Sequence, residues 1–168
     1  MIIIEVQNLS HMNDIRKAQR MLWLFGIFKI PMIGYVNPKI IEFTKTRMVV
    51  KVKLRRRTKN HLNSMYFGVL AVGADLSGAF QAFAVAEEKG KKISLAFKDF
   101  QANFIKRPEG DVYFVSDAGD EIRACVNETI RTKQRVTKGI KVNAYTNYPA
   151  NPELVAEFTL GLSVKDKG

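Results

Sequence analysis

Asp75 is the residue whose type and position most invite chemistry. It is the only charged side chain between His61 and Glu87, in the middle of the most apolar stretch of the 168-residue chain. Burying an unpaired carboxylate costs several kcal/mol, so Asp75 has to be paired, protonated or open to a cleft. Two roles satisfy that demand. One is a functional acid in a cleft; the other is a structural acid that accepts hydrogen bonds from a neighbouring strand or subunit. The bare pattern leaves both open. The other reactive types are sparse. Cys125 is the lone cysteine, His11 and His61 are the only histidines, and no CxxC or Cys/His cluster exists to bind zinc. Cys125 cannot form an internal disulfide and reads as a small buried hydrophobe.

The elements that position Asp75 follow from hydrophobic period. Asn63 or Ser64 is placed to cap a helix N-terminus. The run Tyr66 to Ala86 is apolar on nearly every side, which predicts a helix buried all round, stopped at Glu87-Glu88-Lys89-Gly90 with Gly90 as the C-terminal cap. Ala71, Gly78 and Ala82 share a face with Asp75, which allows close approach of another element or leaves room for a ligand. An earlier helix is expected to open near Ser10, with Ile15, Ala18, Leu22 and Phe25 at helical spacing, and to end at Gly26 and Pro31.

Elsewhere the period is two. Strands are expected over Met48–Leu54, over Ile93–Phe104 with a bulge near Lys98-Asp99, over Val112–Val115, around Ile140–Ala144, and over Phe158–Val164. A short helix capped by Ser116 or Asp117 is expected to run to about Arg131, its early acids complementing the helix dipole. The sum is an α+β fold in one domain: about five antiparallel strands, one long buried helix and an N-terminal helix.

Composition narrows the function classes. Hydrophobic residues at 46% and charged ones at 26% exclude a disordered tail. The net charge of +11 favours an anionic partner: nucleic acid, a lipid surface or a phosphorylated ligand. No helix-turn-helix, zinc finger or RNP-like stretch supports specific nucleic-acid binding. The most apolar early window, Met21 to Val36, is interrupted by Gly26, Lys29, Pro31 and Gly34, so no membrane span is expected there. The opening Met-Ile-Ile-Ile-Glu-Val-Gln lacks a basic n-region and a cleavage site, and the expectation is a cytoplasmic protein.

The stretch Asn60-His61-Leu62-Asn63-Ser64-Met65-Tyr66-Phe67-Gly68, followed by Asp75, resembles the signature of hotdog-fold acyl-CoA thioesterases of the phenylacetyl-CoA thioesterase type. That signature runs Asn-x-x-Gly-x-x-His-Gly-Gly, then six residues, then Asp. Asn60, Gly68 and Asp75 match it in identity and spacing. Asn63 replaces the first glycine, Tyr66 the histidine and Phe67 the next glycine. Arg55-Arg56-Arg57-Thr58-Lys59-Asn60-His61 is similar to a less characterised branch of the superfamily, which carries a basic strand end, an Asn-His pair and an N-terminal helix. The likeness covers Ile30 to Val164. It implies a single hotdog domain, with residues 1–35 as a helical extension and 36–168 as the core.

The resemblance also implies a mechanism. The Phe67 amide at the helix N-terminus, beside Gly68, would donate to the thioester oxygen. Asp75 would act as general base on water or as nucleophile, and Asn60 would position the water or the carbonyl. The substrate would be an acyl-CoA, with no cofactor and no metal, since coenzyme A is part of the substrate. Asp75 lies eight residues beyond Phe67, about 12 Å along one helix. One chain therefore cannot bring both to the same carbonyl. The family's answer is a homodimer with shared sites, alone or doubled into a homotetramer.

The flanking residues carry paired readings. His61 is a general base or a hydrogen-bonded residue that orients the loop. Tyr66, at the signature's histidine, contacts substrate or is a packed aromatic at the helix start, and Asn63 contacts substrate or caps the helix. Arg57 and Lys59, with Arg55 and Arg56, meet the phosphates of coenzyme A or form a solvated strand edge. Trp23, Phe25 and Phe28 are a lid or core wall, or else a membrane anchor. The leading function is acyl-CoA thioester hydrolysis; the alternative is a non-catalytic hotdog protein that binds acyl-CoA or a lipid.

Overall fold

The computed structural model describes residues 2–168, with side chains from Asp14 onward. The chain has the α+β hotdog fold. Its centre is α3 (Phe67–Glu88), and thirteen of its residues are buried. α3 is long and apolar enough to cross a membrane, yet 72% of its most apolar window is buried inside the molecule. It is a core helix. Gly90 ends it as expected, with φ +61°, while the Lys91 N–H reaches the Ala86 carbonyl at 2.9 Å.

Six antiparallel strands face α3: β1 (Lys39–Phe43), β2 (Met48–Val52), β3 (Ile93–Phe104), β4 (Val112–Ser116), β5 (Val136–Thr146) and β6 (Glu153–Asp166). Their order is β1-β2-β4-β5-β6-β3. β1 is the strand the sequence does not announce, because it is short and its register slips between Ile40 and Glu42. The bulge expected near Lys98-Asp99 is present, since pairing with β6 jumps from Phe97 to Phe100. Gly161 makes space for it: a Cβ there would sit 2.7 Å from the Asp99 carboxylate. The helix comes close to the sheet at Gly73, where a Cβ would lie 2.2 Å from the fully buried ring of Phe114.

Helix boundaries in α1 and α4 differ from expectation. α1 (Ile2–Phe28) begins well before Ser10 and runs through Gly26. Gly26 instead lets α2 (Pro31–Val36) touch it, since a Cβ at Gly26 would be 2.8 Å from the Gly34 nitrogen. Pro31 opens a new helix as well as closing the old one. α4 (Gly119–Thr132) is not capped by Ser116, which belongs to β4, or by Asp117, which pairs with Arg47 at 2.7 Å. Its start is set by backbone contact, with the Gly119 N–H on the Thr46 carbonyl at 3.0 Å. Asp120 and Glu121 do occupy its first turn.

Two apolar clusters result. The larger joins Ala18, Leu22, Ile33 and Val36 of the N-terminal helices to Phe80, Phe114 and Phe158. The smaller packs α4, including the buried Cys125, against the C-terminal half of α3 and the sheet. Gly78 and Ala82 are buried in this packing. A Cβ at Gly78 would lie 3.2 Å from Val142 and Leu160, so close approach, rather than ligand space, explains its small size.

Candidate active site

The N-terminus of α3 is held by the loop before it. The Tyr66 N–H donates to the Thr58 carbonyl and the Met65 N–H to the Pro108 carbonyl, each at 2.9 Å. Within the loop, Asn60 Oδ1 accepts the Leu62 N–H at 2.9 Å and both the N–H and hydroxyl of Ser64 at 3.2 Å. Asn60 is thus the residue that shapes the loop, and only its Nδ2 group remains for a ligand. Asn63, at the signature's first glycine, has φ +61°. Asparagine tolerates that left-handed backbone better than most residues, which accounts for the exchange. Its side chain accepts Lys59 Nζ at 2.9 Å. His61 is exposed and makes no hydrogen bond among the described residues, so the loop is oriented by Asn60 and not by His61.

Neither Asn63 nor Ser64 caps α3. The N-cap is Tyr66, extended at φ −66° and ψ 137°, with no side-chain cap. Ser64 is tied back to Asn60, and Met65 is still paired with Lys59, so the helix starts two residues later than a Ser64 cap and three later than an Asn63 cap would set it. The Val69 N–H takes the Tyr66 carbonyl at 2.9 Å, whereas the Phe67 and Gly68 N–H groups have no partner among the described residues. These two amides, at the positive end of the helix dipole, are open to an anion or a polarised carbonyl. Tyr66 and Phe67 are exposed, with ring centroids 4.8 Å apart. The Tyr66 ring also lies against Gly68, where a Cβ would be 2.6 Å from it.

Thr58 is a site-shaping residue that motif reading missed, because nothing in an Arg-Thr-Lys string marks a buried threonine. Its hydroxyl donates to the Lys53 carbonyl and accepts the Arg55 N–H, both at 2.8 Å. It thereby fixes the turn that carries Arg55, Arg56 and Arg57 next to the helix start. These three arginines are exposed and line, with Tyr35, a hollow of about 570 Å³. The Arg57 guanidinium sits 5.9 Å from the Tyr35 ring centre.

Asp75 lies two turns deeper. It is half-buried on the stripe that also holds the half-buried Gly68, Ala71 and Val72. It makes no hydrogen bond or ion pair among the described residues, and burial pushes its carboxyl up to about 6. The structural alternative, an acid satisfied by a neighbouring strand, does not hold within one protomer. A separate cavity of about 620 Å³ lies at the opposite end of α3, among α1, the β1–β2 turn and α4. It includes Phe80 and Gln81 and none of the site residues read from the sequence.

The site residues thus fall in two groups. Asn60, His61, Asn63, Tyr66, Phe67, Gly68, Arg57 and Lys59 gather around the start of α3. Asp75 stands about 12 Å further along it.

No family model matches the chain, and no curated protein matches it. Solved structures do. A protein of unknown function from Chlorobaculum tepidum is 11% identical with a TM-score of 0.76, covering 90% of this chain and 96% of its own. A thioesterase so named provisionally from Shewanella oneidensis is 14% identical with a TM-score of 0.74, covering 89% and 98%. The E. coli PaaI protein of the phenylacetic acid degradation operon is 13% identical with a TM-score of 0.58, covering 92% and 96%. At such identities the likeness is one of fold.

Proposed function

We propose that the chain hydrolyses an acyl-CoA thioester. The observation that carries this reading is the pairing of an unpartnered, desolvated Asp75 with the two unspent amides at the start of the same helix. Asp75 takes a proton from water as the water attacks the thioester carbon, or attacks that carbon itself to form an acyl anhydride that water then hydrolyses to the free acid. The Phe67 N–H receives the developing oxyanion, with Gly68 beside it, and Asn60 Nδ2 positions the water or the carbonyl. Collapse of the intermediate expels the coenzyme A thiolate, which gains a proton. Arg57 and Lys59, with Arg55 and Arg56, are suited to the phosphates of coenzyme A. His61, Asn63 and Tyr66 border the same entrance.

The 12 Å between acid and amides calls for two chains, Asp75 of one facing Phe67 of the other. β3 supports this assembly: it is a 12-residue strand at the edge of the sheet, open to another strand. A homodimer, or a dimer of such dimers, would complete the site.

Thiol release from short, long and aromatic acyl-CoAs, compared between wild type and Asp75→Asn, tests the reading. A fall of about a hundredfold or more in a folded dimeric variant is expected. Equal activity in both would remove Asp75 from the mechanism. The position of the Tyr66 ring against Gly68 favours a second reading, a protein that binds acyl-CoA or a lipid without turnover. Tight binding with no wild-type hydrolysis would select it.

A further inference from the structure

We propose that the face formed by the second half of α1, by α2 and by the start of β1 docks on an anionic lipid surface. Seven of the fourteen exposed large hydrophobic residues among those described lie between Trp23 and Tyr35. Trp23 is 59% exposed, Phe28 73% and Met32 57%. Their inward counterpart is Phe25, which packs 5.3 Å from Phe83, so the expected core wall is Phe25 alone, while Trp23 and Phe28 point out. Large exposed apolar side chains gathered on two helices that pack together mark an interaction site. It is also held firmly: Leu22, Ile33 and Val36 anchor the two helices in the core, and Gly26 meets Gly34 backbone to backbone.

The charge around this surface is of one sign. Trp23 borders two adjoining hollows, one with Ile27, Pro31 and Gly34, the other with Arg16, Arg20 and Lys39. Tyr35, next in the chain to Gly34, borders the hollow of Arg55, Arg56 and Arg57. No acidic residue lines any of the three. None of these six cations is among the nine ion pairs of the described residues. An apolar patch with aromatic side chains, bordered by bases that have no ion pair among the described residues, fits acyl chains below and phosphate headgroups around. Ile27 and Met32 offer aliphatic bulk suited to hydrocarbon, not a stacking platform for bases. A second copy fits poorly, because a two-fold contact through this face would set arginine against arginine.

Trp23 is the only tryptophan, so its emission reads the event directly. The full chain is mixed with phosphatidylcholine vesicles with and without phosphatidylglycerol. Flotation with the anionic vesicles, a blue shift of Trp23 emission and weakening by salt are expected. Phe28→Ser with Met32→Ser, and separately Arg16→Gln with Arg20→Gln, should each lower the affinity about tenfold in protein that keeps its circular dichroism. These positions are outside the proposed catalytic site, so thioester hydrolysis in solution would stay unchanged. Unmoved Trp23 emission, or binding that survives both double variants, would overturn the proposal. So would affinity for single-stranded RNA without vesicle binding, or a concentration-dependent blue shift in the absence of lipid, which would assign the face to a second copy.

Discussion

Ser64 gives both its N–H and its hydroxyl to Asn60 Oδ1, at 3.2 Å each, and is thereby withdrawn from the helix it precedes. To cap the helix, Ser64 would have to stand directly before its first residue, a place Tyr66 holds with no side-chain cap. The serine is spent on the loop, and the first amides of α3 are left for something else. Stability is forgone at the place where the proposed chemistry needs donors.

The amide can be removed without disturbing the helix. Phe67 is the first helical residue, its N–H has no partner, and Tyr66 already has the extended backbone that a following proline demands. Phe67→Pro should fold like wild type and lose about 10²–10³ in kcat, whereas Phe67→Ala keeps the amide and most of the rate. Steady-state kinetics on both variants decides the matter. A Phe67→Pro enzyme with undiminished kcat would place the oxyanion elsewhere.

Asp75 predicts a pH dependence of two kinds. As a base that ionises at about 6, it should make kcat rise with pH through that value. Stability should move the opposite way. The folded chain keeps the Asp75 proton to about pH 6 while the unfolded chain releases it near 3.8, so the folded state binds more protons between them and loses stability as pH rises. Relative to wild type, Asp75→Asn should gain about 2 kcal/mol between about pH 4.5 and about pH 7.5. Chemical denaturation of both proteins at the two pH values cancels the other carboxylates. A constant difference would mean that a cation from another chain meets the acid.

Gly73 predicts a packing limit. Its missing Cβ leaves room for the Phe114 ring, so Gly73→Ala should cost about 1–3 kcal/mol in thermal unfolding. Gly139→Ala is the control, because the nearest atom to a Cβ there is 4.0 Å away on Thr159. A Gly73→Ala protein as stable as wild type would mean that β4 yields more easily than its burial suggests.

What could be read from the residues alone divides along physical lines. The central helix, its Gly90 stop, the bulge at Lys98-Asp99 and the lone acid all follow from local pattern and from the cost of burying charge. Features set by contacts far apart in sequence did not show. Gly26 reads as a helix stop until Gly34 is seen against it, and Ser116 reads as a cap until β4 claims it. In the candidate site, Asn60 and Gly68 were visible through the resemblance to the family signature, and Asp75 also as the lone charge in an apolar run. Thr58 was not, since its role rests on carbonyls that only the folded turn brings to it. Asn63 was visible as a departure, and its positive φ explains why that departure costs little.

The single cysteine has a practical consequence. Cys125 is wholly enclosed by the smaller cluster, and burial raises its thiol above the usual range. A thiol-reactive dye added to the folded protein would find no competing sulfhydryl, so colour developed during turnover would come from coenzyme A alone. Once substrate is gone, any slow further rise would time the opening of α4 from the sheet. One reagent would serve as both product counter and unfolding clock.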